Sequence, residues 1–275
     1  MIPEGIIPPV LTPLKQNQDV DFAAFRHLLD KLINGGVHAL FVAGTAGFGS
    51  VLTEKQYCET IEEAVGHVAG RLPVLAGVLE PSTMRGAAYL KFLERSGVSA
   101  AVVVAPYYLR AGNETQLRRH FGRLREASDL ELAVYNIPMC TGTTIPAGLL
   151  AELAGRGWIS ACKDSSGDPV YFAELCRAGQ AHGMRVYQGM RPDFAQLAQL
   201  GASGCVPVPG NVSPELFVTA WNQRRNHATL PELQRQCDVI WERLVTAGDF
   251  FSRSLKALAE QGIGSGVMPE PFNEA

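Results

Sequence analysis

Short runs that are apolar at consecutive positions alternate along this chain with longer amphipathic stretches. This alternation constrains the fold more than any other feature. Residues 101–104 read Ala-Val-Val-Val. A strand with no polar face must be covered on both sides, which is the condition of a parallel sheet. The pattern predicts strands over 6–11, 40–43, 74–76, 101–104, 132–136, 158–163, 185–188 and 204–206. Between them it predicts helices over 21–34, 53–69, 82–95, 114–127, 146–153, 169–177 and 192–200. Gly35-Gly36 and Gly97 serve as helix stops, Thr53 as an N-cap and Pro146 as a helix start. Eight strands at a spacing of roughly 25 to 30 residues fit a TIM (β/α)8 barrel better than an open doubly wound sheet, which would use fewer strands and a clear phosphate loop. From Ser213 onward only helices are predicted, over 214–226, 231–247 and 250–261. The expectation is a single domain over 1–275. Its barrel would span about 1–226 and a C-terminal helical extension about 227–275.

Composition excludes several function classes. The chain is 47% hydrophobic and 19% charged with a formal net charge of −3, and no basic run points to nucleic acid or an anionic membrane. No apolar run reaches the roughly 20 residues that span a bilayer, and the N-terminal residues lack a secretory pattern. The six cysteines are scattered without a C-x-x-C pair, as expected of free thiols in a cytoplasmic protein. The six histidines show neither H-x-H nor H-E-x-x-H spacing, so neither a metal site nor a cofactor is expected.

In a barrel of this kind chemistry sits at the C-terminal ends of the strands. Of the six lysines, only Lys163 ends an apolar strand. Its position alone allows two readings, an ion pair with Asp164 or an imine-forming nucleophile. A neutral amine attacks a ketone, and the protonated imine then stabilises a carbanion on the neighbouring carbon. An apolar surrounding favours the neutral amine. Tyr135 ends the adjacent strand and reads either as a core tyrosine or as a proton carrier beside Lys163 and Thr45. The segment Gly44-Thr45-Ala46-Gly47-Phe48-Gly49 matches no dinucleotide or Walker pattern. It reads either as a plain tight loop or as a backbone cradle for a small carboxylate.

Four motifs occur in order at successive strand ends: Gly44-Thr45-Ala46-Gly47, Pro106-Tyr107-Tyr108, Tyr135-Asn136-Ile137-Pro138 and Lys163-Asp164. In this order they resemble the dihydrodipicolinate synthase / N-acetylneuraminate lyase family of class I pyruvate-dependent lyases, over nearly the whole chain. The resemblance implies that Lys163 forms the Schiff base and that Tyr135 transfers protons. It implies that Thr45 lies between that phenol and the substrate carboxylate, and that the Ala46 amide helps hold the carboxylate. It also implies that Tyr108 completes the relay in a neighbouring subunit, which makes a homotetramer of two dimers. Gly189 and Val206 resemble residues lining the pyruvyl pocket.

Three departures bear on the substrate. Synthases of the lysine pathway usually carry an arginine two residues after the Y-N-x-P proline, and here Cys140 stands there. Phe48 stands where a glutamate is usual, with Gly49 after it as in 2-keto-3-deoxygluconate-type aldolases. Ala46 replaces a hydroxyl residue. The expected reaction is reversible cleavage, or a related dehydration, of a 2-keto-3-deoxy sugar acid or hydroxylated 2-keto acid, with pyruvate as product or donor. The alternatives are 4-hydroxy-tetrahydrodipicolinate synthesis from pyruvate and aspartate semialdehyde, and a non-catalytic ligand-binding barrel.

Overall fold

The computed structural model describes residues 1–245 and 250–273. Eight parallel strands follow one another around a barrel. They are β1 (Gly5–Ile6), β2 (Leu40–Val42), β3 (Val74–Val78), β4 (Ala100–Val104), β5 (Glu131–Asn136), β6 (Ala161–Asp164), β7 (Arg185–Gln188) and β8 (Gly204–Cys205). Hydrogen-bonded neighbours run β1-β8-β7-β6-β5-β4-β3-β2, and a parallel bridge between Pro9 and Phe41 closes the ring. Strand 1 is shorter than its apolar run predicts because Pro8 and Pro9 have no N–H to donate. Their neighbours complete the ladder instead. The Ile7 amide donates to the Cys205 carbonyl at 3.0 Å, and the Phe41 amide to the Pro8 carbonyl at 3.1 Å.

Helices α1 (Phe22–Asn34), α2 (Glu54–Val68), α3 (Thr83–Ser96), α4 (Glu114–Ala127), α5 (Pro138–Thr141), α6 (Ala147–Gly155), α7 (Pro169–His182) and α8 (Phe194–Leu200) cover the outside. Thr53 caps α2 with a full capping box to Gln56. The apolar pattern does not predict the single turn α5. It opens on Pro138, whose fixed φ suits a first helical position. Strand 6 starts three residues later than predicted, because Trp158 leaves the sheet to lie against Gly122 of α4.

Alternation along the strands divides the core in two. Outward residues such as Ala101, Val103, Val134 and Cys162 pack against the helices with Phe25, Leu28 and Phe121. Inward residues form a second cluster inside the barrel, including Phe41, Leu75, Val102, Ala133, Tyr135, Ala161, Tyr187 and Val206. Each fully buried Leu, Val or Phe contributes about 1.5–3 kcal/mol. Tyr135, Lys163 and Tyr187 are paired in register across β5, β6 and β7, so they share one layer near the C-terminal end of the barrel.

A 3-10 turn (Val208–Asn211) leads into α9 (Pro214–Asn222), α10 (Leu230–Val245) and α11 (Phe250–Glu260). The predicted end of α10 at Ala247 lies outside the described residues. Buried Asn211 ties this region to strand 1: its amide donates to the Pro9 and Val208 carbonyls at 3.0 and 2.9 Å and its oxygen accepts from the Leu11 amide at 3.2 Å. Among the described residues, no helix is long and apolar enough to cross a membrane.

Candidate active site

Strand alternation turns Ala161 and Lys163 into the barrel and Cys162 toward the helices. Lys163 is 7% exposed. Its Nζ lies 3.9 Å from the centroid of the Tyr135 ring and 5.2 Å from that of Phe41. The cavity around it is lined by Ile7, Phe41, Leu75, Val102, Tyr187 and Val206, among other apolar side chains. The ion pair with Asp164, one of the two readings of this lysine, does not form. Asp164 accepts instead from the Asn136 side-chain amide at 2.8 Å, the Ser166 backbone amide at 3.1 Å and the Ser166 hydroxyl at 2.9 Å. Burial pushes the Asp164 carboxyl up, and these hydrogen bonds oppose it. Among the described residues no carboxylate forms a salt bridge with Lys163.

Tyr135 is buried and meets Phe41 edge-on at 6.4 Å. Its phenol oxygen accepts a hydrogen bond from the Ser165 hydroxyl at 3.4 Å. Asn136, next in the motif, is structural. Besides holding Asp164, its side-chain oxygen accepts from the Ile145 amide at 3.0 Å, which fixes the loop beyond α5.

Thr45 is half-buried in the turn after β2, and Ala46 is buried beside it. The turn is held by the Gly49 amide on the Gly44 carbonyl at 3.0 Å and by the Thr12 hydroxyl on the Gly47 carbonyl at 2.8 Å. Ala43 and Phe48 both adopt left-handed backbone, φ +49° and +59°, each at a cost of about 1–2 kcal/mol. Phe48 is buried edge-on against Phe251 of α11, with centroids 6.1 Å apart. The position where a glutamate is usual therefore joins the turn to the C-terminal helices.

Gly189 follows β7 and packs on the lysine. A Cβ there would lie 2.8 Å from Lys163 Cε and would also strike the Ser165 hydroxyl. Val206 is buried inside the barrel. Cys140 lies on α5, where burial pushes its thiol up and the charge of Lys163 pulls it back. Tyr108 is elsewhere: it is 94% exposed, with φ +65°, at the tip of the β4–α4 loop. Two groups at the site escaped the sequence reading, Phe41 and Ser165. Period-two alternation could have found both, since Ser165 follows Lys163 on the same face. Among the described residues no group of three or more His, Cys, Asp or Glu is placed to hold a metal ion.

The sequence model of the dihydrodipicolinate synthetase family matches residues 2–275. The chain belongs to this family. Its members are class I pyruvate-dependent lyases, and the chain is accordingly a carbon–carbon or carbon–oxygen lyase. It is 34% identical over 212 residues to a 4-hydroxy-tetrahydrodipicolinate synthase of Sphingopyxis alaskensis, covering 77% of this chain and 72% of the relative. It is 36% identical over 224 residues to the synthase of Novosphingobium aromaticivorans, with 77% and 71% covered. Among solved structures, dihydrodipicolinate synthase from Bacteroides thetaiotaomicron superposes with a TM-score of 0.93 at 30% identity, covering 99% of this chain and 93% of that one. YagE, a prophage protein of the same family from E. coli K12 in complex with pyruvate, superposes with a TM-score of 0.91 at 25% identity, covering 98% and 92%.

Proposed function

We propose that Lys163 forms a Schiff base with pyruvate and that the resulting enamine condenses with aspartate semialdehyde, the chemistry of a 4-hydroxy-tetrahydrodipicolinate synthase. The observation that carries the first half is the buried amine of Lys163, seated over the Tyr135 ring with no carboxylate bound to it among the described residues. The names of the relatives support the second half, and they favour it over the sugar-acid reaction expected from the sequence.

The amine attacks C2 of pyruvate, the carbinolamine loses water, and loss of a C3 proton gives the enamine that attacks the aldehyde. Tyr135 carries protons in these steps, with Thr45 and the partner subunit's Tyr108 completing the relay. The pyruvate carboxylate rests on Thr45 and the Ala46 amide, and Gly189 and Val206 line the pocket. The proposed enzyme is a cytoplasmic homotetramer of two dimers, and the exposure of Tyr108 leaves that side chain available to a neighbouring subunit. One observation favours a second reading, cleavage of a hydroxylated 2-keto acid. Cys140 offers no cation for the carboxylate of aspartate semialdehyde, and a charge-assisted hydrogen bond to such a group is worth about 1.5–3 kcal/mol.

Borohydride reduction with pyruvate, followed by peptide mass spectrometry, tests the shared step. The expected adduct sits on Lys163 and is absent from Lys163→Ala. An adduct on another lysine sinks the proposal. Turnover with aspartate semialdehyde against pyruvate release from hydroxylated 2-keto acids then separates the two reactions.

A further inference from the structure

The phenol of Tyr135 needs a fixed orientation to move protons at Lys163, and the hydroxyl bonded to it belongs to Ser165. Ser165 is 6% exposed. Its backbone amide donates to the Asn136 carbonyl at 2.8 Å, so the residue is anchored to the strand that carries Tyr135. It follows Lys163 by two positions and therefore faces the same interior. The absence of a side chain at Gly189 leaves room for its hydroxyl next to the lysine stem. Ser165 donates to the phenol oxygen at 3.4 Å. A donor on that oxygen leaves the phenol's own hydrogen free to point elsewhere. No hydrogen bond joins Thr45 to Tyr135 among the described residues.

We propose that Ser165 is a positioning residue that orients the Tyr135 phenol toward the Lys163 amine. The proposal rests on the Schiff-base reading above. When the carbinolamine collapses, the C2–O bond breaks and the phenol proton leaves with the hydroxyl as water. The phenolate then takes a proton from C3, giving the enamine and restoring the phenol. The Ser165 hydroxyl donates to the phenolate between these two transfers and is itself unchanged.

Exchange of the pyruvate methyl protons for deuterium, followed by NMR, reads these steps without any aldehyde. Ser165→Ala is expected to slow exchange about tenfold, the worth of one hydrogen bond at a reacting group. The fraction of Lys163 trapped by borohydride at saturating pyruvate should remain within about twofold of the unaltered protein, since positioning alters rates more than occupancy. In a Tyr135→Phe background the same substitution should produce no further loss, because Ser165 acts through that phenol. Exchange at the unaltered rate in Ser165→Ala overturns the inference, as does a further loss in the Tyr135→Phe background. Loss of trapping together with exchange also overturns it, because the hydroxyl would then be needed for binding or folding. If the unaltered protein traps no pyruvate on Lys163, the Schiff-base reading itself fails.

Discussion

Gly189 shows how closely single atoms are specified around the lysine. A methyl group there would meet Lys163 Cε and the Asp164 carbonyl, each at 2.8 Å. The carbonyl cannot move aside, because it already accepts from the Gly189 amide at 2.7 Å. Gly189→Ala should therefore destabilise the protein by about 1–3 kcal/mol and slow pyruvate trapping by displacing the amine. Thermal melting and the trapping rate check both effects, and a variant that matches the unaltered protein in each refutes the close approach. At this scale the places of Lys163 and Tyr135 at strand ends were legible, because each closes an apolar run, while the roles given to them come from the family resemblance. The inward direction of Ser165 could have been read from the same alternation, whereas its bond to Tyr135 could not, since that depends on reaching a residue thirty positions earlier.

The β4–α4 loop is held by a buried histidine. His120 of α4 bonds the Thr83 hydroxyl through Nδ1 at 2.9 Å and the Val104 carbonyl through Nε2 at 3.0 Å, joining α3, α4 and the end of β4. A neutral ring that donates from Nε2 and accepts at Nδ1 satisfies both partners. Burial lowers its pKa from 6.5 to about 4. The unfolded chain takes up this proton below 6.5 and the folded chain only near 4. The stability contribution is thus fully present above 6.5 and is lost progressively as pH falls from there through about 4. The whole effect is roughly 3 kcal/mol. Urea unfolding across this range should show His120→Gln losing less stability on acidification than the unaltered protein. Equal losses would remove the histidine as the cause. The element order was readable from apolar periodicity, whereas strand 1 was overextended because its two prolines interrupt the ladder.

For the whole molecule, the exposed Tyr108 separates a self-contained site from a shared one. If it serves a neighbouring subunit, Tyr108→Phe and Lys163→Ala chains should each have little activity. Assemblies formed from equal amounts of both should recover about a quarter of the unaltered sites, because mixed dimers contain one complete site. No recovery in assemblies shown by mass to be mixed would mean that Tyr108 serves its own subunit's site, and full activity of Tyr108→Phe alone would place it outside the site. The barrel and the order of its strands follow from the sequence, because apolar runs and turn residues act locally. Tertiary structure alone decided that Asp164 turns away from Lys163, that Phe48 joins α11 and that Ser165 reaches Tyr135. Those outcomes depend on how side chains from distant segments meet across the curved sheet, which no local pattern encodes.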